Sequence, residues 1–127
     1  GASASAVLDA AETNVTLTPA TPGTWGPRLT ARQGEGLALY VSDDPWWASF
    51  AAACFTDGRE NGGYVGAVGV PNADGSYDLG IGQSNTGTLA GLGVDADAVR
   101  RDPVLAMQAL YRTYQLQGAG AWNGCRG

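Results

Sequence analysis

The sequence predicts an α+β domain, mainly helical, with a small antiparallel β-hairpin or three-stranded sheet. Two Asp-Pro pairs, Asp44-Pro45 and Asp102-Pro103, each combine an N-cap side chain with a proline suited to the first helical turn. Behind them, Trp47, Phe50, Ala51 and Cys54, then Val104, Met107, Tyr111 and Tyr114, recur at helical spacing. Between the two helices, Tyr64 to Val70 and Ser76 to Gly82 read as strands around a turn at Pro71-Asn72-Ala73-Asp74-Gly75.

Taken in order, residues 1–28 are rich in Ala, Ser, Thr and Pro and read as an extended or disordered N-terminal arm or linker. Residues 29–127 form the folded domain. Leu29 to Val41 is a first, weak helix, because Gly34 and Gly36 interrupt it. The helix opened by Asp44 runs on toward Asp57-Gly58-Arg59, which weakens its end and leaves Glu60 at its last turn or just beyond. Thr86 to Leu92 is a short helix stopped by Gly93, and Gly118 ends the last one. Met107, Tyr111 and Tyr114 belong to a core stripe rather than a cofactor site.

The chain has 127 residues and is 44% hydrophobic, enough for one domain with its own core. All seven basic residues are arginine, and histidine is absent. Histidine catalysis and histidine metal ligation are therefore excluded. A net charge of −5 argues against nucleic acid as a partner and against simple charge attraction to anionic cell walls. No apolar run approaches the roughly 20 residues that span a bilayer. No basic-then-apolar export leader is present, so the expectation is that any such leader is removed or encoded elsewhere. Arg, Ala and Gly enrichment without lysine suggests a GC-rich bacterial or phage source.

The two cysteines, Cys54 and Cys125, are either separate buried thiols or a disulfide, and a disulfide is the expectation. They form no CxxC pair, and two thiols without histidine make a poor zinc site. A bridge would tie the helix after Asp44 to the C-terminal end, contribute about 4 kcal/mol in the chain-entropy model, and imply an oxidising compartment.

Two carboxylates carry the candidate chemistry. Cleaving a glycosidic bond needs an acid to protonate the leaving oxygen and a second group to stabilise or attack the positive sugar carbon. The acid works near neutral pH only if burial raises its pKa. Glu60 follows a buried helix, with Trp47, Tyr64 and Trp122 as candidate apolar neighbours. The second carboxylate needs hydrogen-bond donors, and Asp78 has Ser76, Gln83 and Asn85 close in sequence. On residue types alone, a solvated helix-end charge beside Arg59 is the simpler reading of Glu60. Asp78 likewise reads as a turn residue, and Gln83 and Asn85 as satisfying hairpin backbone groups.

Glu60-Asn61-Gly62-Gly63-Tyr64-Val65-Gly66-Ala67-Val68 resembles the Glu-Ser-Gly-Gly...Ala-Val stretch of the lysozyme-like superfamily. That superfamily takes in animal lysozymes, lytic transglycosylases and resuscitation-promoting factors. Asn72 to Asn85 is similar to a block of animal lysozymes in which the aspartate matching Asp78 is the second catalytic carboxylate. The residues matching Gln83 and Asn85 line the sugar cleft there. The tail Gly120-Ala121-Trp122-Asn123-Gly124-Cys125 resembles the end of resuscitation-promoting factors, where the last cysteine bridges to the catalytic helix. The likeness covers about Trp46 to Cys125. It departs at Asn61, which stands where serine is usual, and at Asp57-Gly58-Arg59, which interrupts a normally clean helix.

The resemblance implies a lysozyme-like fold with its sheet beside a cleft, and a muramidase. Such an enzyme cuts the β-1,4 bond between N-acetylmuramic acid and N-acetylglucosamine in peptidoglycan glycan strands. Glu60 is the expected general acid and base, and Asp78 the nucleophile or stabiliser. Tyr64, Gln83, Asn85 and Trp122 are the expected substrate-binding residues. No cofactor or metal is expected. Asp95, Asp97 and Asp102 lack a glycine-turn calcium loop, and Asp102 has a capping role. The chain is expected to be secreted, in the cell envelope or on a phage virion, as a monomer or as a domain of a larger protein. The alternatives are a lytic transglycosylase using Glu60 alone, and a non-catalytic wall- or protein-binding module on the same scaffold.

Overall fold

The computed structural model describes residues 23–56, 63–122 and 125. Its architecture is α+β, mainly helical, with a small two-stranded antiparallel sheet. Helix α1 spans Ala31–Ser42 and starts with a reciprocal cap. Gln33 N donates to Thr30 Oγ1 at 3.1 Å while Thr30 N donates to Gln33 Oε1 at 2.9 Å. The glycine expected to weaken this helix has a packing role, because a Cβ on Gly34 would lie 2.5 Å from Thr56 Cγ2. Its absence lets α1 approach the following helical segment.

Helix α2, Pro45–Ala51, opens as the sequence requires, with Asp44 Oδ1 accepting from Trp46 N at 3.0 Å and Trp47 N at 3.1 Å. It does not continue as regular helix toward residue 57. Ala52–Thr56 widens into a π-helical turn, with Cys54, Phe55 and Thr56 all buried. A regular α-helix rotates successive side chains away from one another, whereas the wider turn helps three consecutive residues face the core. Helix α3 covers Thr86–Leu92 and ends at Gly93 in the left-handed conformation. Helix α4, Pro103–Gln117, is capped by Asp102, whose Oδ1 accepts from Val104 N and Leu105 N, both at 3.1 Å.

The sheet is shorter and differently centred than the sequence suggests. Strand β1, Asp78–Leu79, pairs with β2, Ser84–Asn85, placing Asp78 opposite Asn85 and Leu79 opposite Ser84. The expected strand from Tyr64 to Val70 meets β1 through one bridge, Val68 to Leu79, on the side away from β2. The physical reason is glycine: Gly69 and Gly80 donate the flanking hydrogen bonds, and Gly80 turns away at φ +78° after one pair.

Val68 also bridges Gly23, and Arg28 bridges Tyr64. Val65 N donates to Pro27 O at 3.0 Å and Gly66 N to Trp25 O at 2.8 Å. The folded body thus takes in Gly23 to Arg28, which the sequence assigns to the arm. Residues 1–22 lie outside the described residues. Arg100, only 3% exposed, fastens the same segment by donating from Nε to Gly66 O at 3.0 Å. Burial pulls the Arg100 pKa below its usual value, and Asp97 opposes that shift.

Cys54 and Cys125 form a disulfide with a sequence separation of 71. It fixes the tail behind Trp122, which is 6% exposed and packs on Trp47, Phe50 and Phe55. Met107 is fully buried, and Val104, Tyr111 and Tyr114 pack partly buried against the same core. No helix among the described residues is long and apolar enough to cross a membrane.

Candidate functional site

The β1–β2 hairpin, α3, α4 and the tail enclose a cleft of about 320 Å³. Asp78, Gln83, Asn85 and Trp122, four of the expected site residues, line it together. Asp78 is the single charged side chain on this lining among the described residues. Glu60, the expected acid, lies outside the described residues. Tyr64 is not among the lining residues; it is half-buried, with the Arg28 guanidinium 5.8 Å from its ring centroid.

The register of the hairpin explains the surroundings of Asp78. Its Oδ1 accepts from Asn85 Nδ2 across the sheet at 3.2 Å and from Asn72 Nδ2 at 3.3 Å. Each amide also donates to Ser76 Oγ, at 3.0 Å from Asn85 and 3.1 Å from Asn72. The Ser76 hydroxyl spends its own proton on Asp74 Oδ1 at 2.6 Å, so its lone pairs face the amides. Asn85 is fixed from its other end, because its Oδ1 accepts from Gly87 N at 2.9 Å and caps α3. One side chain thereby joins the first turn of a helix to the carboxylate in the cleft.

Gln83 sits at φ 53°, a left-handed conformation that costs a non-glycine residue on the order of 1 kcal/mol. Its Nε2 donates to Gly80 O at 3.2 Å. Its Oε1 occupies space left by Gly69, where a Cβ would come within 2.8 Å. Gln83 and Asn85 therefore do satisfy backbone groups, and they do so while lining the cleft.

The far wall holds residues that sequence reasoning missed. Thr88 comes from α3, and Thr113 and Gln117 from α4. The signal for the α4 pair was a polar continuation of an apolar stripe, since Leu110, Thr113 and Gln117 fall at i, i+3 and i+7. Hydroxyls and amides around one carboxylate, with an indole on the same lining, suit an uncharged polyhydroxylated ligand. Among the described residues no three carboxylate or cysteine side chains gather to hold a metal ion. Asp95 instead accepts from Asp97 N, while Asp102 caps α4.

The hydrogen bond from Ser76 holds the Asp74 carboxyl below its ordinary value of 3.8. A depressed carboxylate contributes stability that is present above its unfolded pKa and lost as pH falls through the lowered folded value. Ser76→Ala is expected to return Asp74 toward the ordinary carboxylate range and to flatten the pH dependence of stability below about pH 4. Carbon-detected NMR titration of Asp74 measures this; the Ser76 backbone N–H, which donates to the same Oδ1 at 2.9 Å, is kept in the variant, so an unmoved titration would remove the Ser76 hydroxyl as the cause.

No protein-family model, curated protein or solved structure matches this chain.

Proposed function

We propose that the protein is a peptidoglycan-cleaving glycoside hydrolase, a muramidase on a lysozyme-like scaffold. It cuts the β-1,4 bond between N-acetylmuramic acid and N-acetylglucosamine. The observation that carries this reading is the convergence of Asp78, Gln83, Asn85 and Trp122 on one cleft, with the Asp78 carboxylate buttressed by two amides. The resemblance of Asn72 to Asn85 to the sugar-cleft block of animal lysozymes supports the same assignment.

In this mechanism Glu60 gives its proton to the glycosidic oxygen as the bond to the anomeric carbon breaks. Asp78 meets the positive charge on that carbon, either as a stabilising anion or by forming an ester. Water then adds to the carbon, expelling Asp78 as a free carboxylate where an ester has formed, and gives its proton to Glu60, which acts as the base. The amides from Asn72 and Asn85 meet on Oδ1 and so restrict how the carboxylate can rotate. Thr88, Thr113 and Gln117 supply hydrogen-bonding groups for sugar substituents. The disulfide suits work outside the reducing cytosol, in the cell envelope, in secretion or on a virion.

The test is the mass of products released from purified peptidoglycan, with Glu60→Gln as the control. Reducing N-acetylmuramic acid ends from the wild type and none from the variant are expected. 1,6-Anhydro ends would reassign the protein as a lytic transglycosylase. Binding without cleavage would make it a wall-binding module.

A further inference from the structure

Trp46 is 56% exposed, yet its ring is held. It stacks on Phe50 at 5.4 Å with 10° between planes, and on Tyr114 at 5.6 Å with 26°. Single exposed apolar side chains are ordinary on protein surfaces. A half-exposed indole braced by two other rings is a preset flat surface. Both braces lead to the cleft. Phe50 also packs 6.0 Å from Trp122 in the cleft floor. Tyr114 lies one turn before Gln117 on α4, so the two share a helix face, and Gln117 lines the cleft.

We propose that Trp46, with Phe50 and Tyr114 beneath it, is a second glycan contact that stacks a sugar of the chain running out of the cleft. This rests on reading the cleft as a glycan site. The chemistry of the patch selects the occupant. None of its three rings carries charge, and Gln115, Leu116 and Gln117 at the end of α4 are neutral. The carboxylate oxygen of Asp44 nearest in sequence is engaged by the backbone of Trp46 and Trp47. An anionic lipid or polymer gains nothing from such a surface on a chain of net charge −5. The apolar C–H face of a pyranose ring fits it, and Gln117, one turn along α4 from Tyr114 and on the cleft lining, offers an amide to the sugar that lies between. A chain repelled by anionic wall polymers is thereby retained through neutral contacts.

The test uses the isotope-labelled full chain and β-1,4-linked N-acetylglucosamine oligomers of two and six sugars. The indole N–H signals of Trp46 and Trp122 are followed by NMR. The expected result is that the short oligomer shifts Trp122 alone, while the long one shifts both. Trp46→Ala is expected to weaken the long oligomer about threefold to tenfold and leave the short one unchanged. Trp46→Tyr, which keeps a ring, is expected to retain most of the binding and controls for misfolding. A long oligomer that moves Trp122 but not Trp46 overturns the proposal and leaves the cleft reading intact. So does an equal loss for both oligomers. If neither oligomer moves Trp122, the cleft is not a site for these sugars and both readings fall.

Discussion

Asp78→Asn is expected to lower the rate of peptidoglycan cleavage by about 10²- to 10³-fold, with a stability cost under about 1 kcal/mol. The separation of the two effects follows from the hydrogen bonds. Asp78 Oδ1 accepts from Asn72 and Asn85, and an asparagine oxygen in the same place can accept from both. The cage of Ser76, Asn72 and Asn85 therefore stays satisfied, and only the charge is lost. Asp78→Ala is a poorer probe because it deprives two amides of an acceptor together with the charge. Initial rates on purified peptidoglycan, beside urea unfolding of the same samples, measure both quantities. Activity within a few-fold of wild type would remove Asp78 from the chemistry and leave it as a hairpin residue.

The parts of this molecule that were legible in sequence are those fixed by neighbours in the chain. Asp44-Pro45 and Asp102-Pro103 announced two helices because a cap acts on the next two or three backbone N–H groups. The Thr30 and Gln33 capping box was equally local, and Thr30-Ala31-Arg32-Gln33 could have sharpened the start of α1. Gly34 was misleading for the opposite reason. Its effect on helix propensity is local, whereas its benefit comes from Thr56, a residue of another segment. The same division explains the sheet. β-branched and glycine-rich stretches marked where the chain is extended. How far pairing runs depended on Gly69 and Gly80 meeting partners across the fold.

In the cleft, the hairpin side was readable because Asp78, Gln83 and Asn85 stand within one short block. The α4 side was not, because Thr113 reaches the cleft only through the packing of α4 on the rest of the body. Thr113 looks internally satisfied by its bond to Ala109 O at 2.9 Å. Trp122 bridges the two cases. Its place in the tail was visible, but its double duty as core and cleft floor depends on the disulfide and on the rings it meets.

Trp47→Ala is expected to destabilise the fold by about 3–5 kcal/mol, a large part of the roughly 5–15 kcal/mol available to a domain. Trp47 is fully buried and lies within 6 Å of five other rings: Phe50, Phe55, Tyr111, Tyr114 and Trp122. These come from α2, the π-helical turn, α4 and the tail, so one side chain joins four segments. Trp47→Phe separates ring packing from hydrogen bonding. The buried Nε1 of Trp47 has no hydrogen-bond partner among the described residues, so phenylalanine forfeits no bond there. Its cost is confined to lost volume, about 1–2 kcal/mol. Because Trp122 keeps Phe50 and Phe55 as supports, Trp47→Phe should retain cleavage activity wherever it is folded. Chemical denaturation of both variants decides the matter. Equal costs would mean that a single six-membered ring recovers none of the contacts at this position and that the full volume of the indole sets the stability of this cluster. A Trp47→Ala cost under about 1 kcal/mol would show that the disulfide and α1 hold the body together without it.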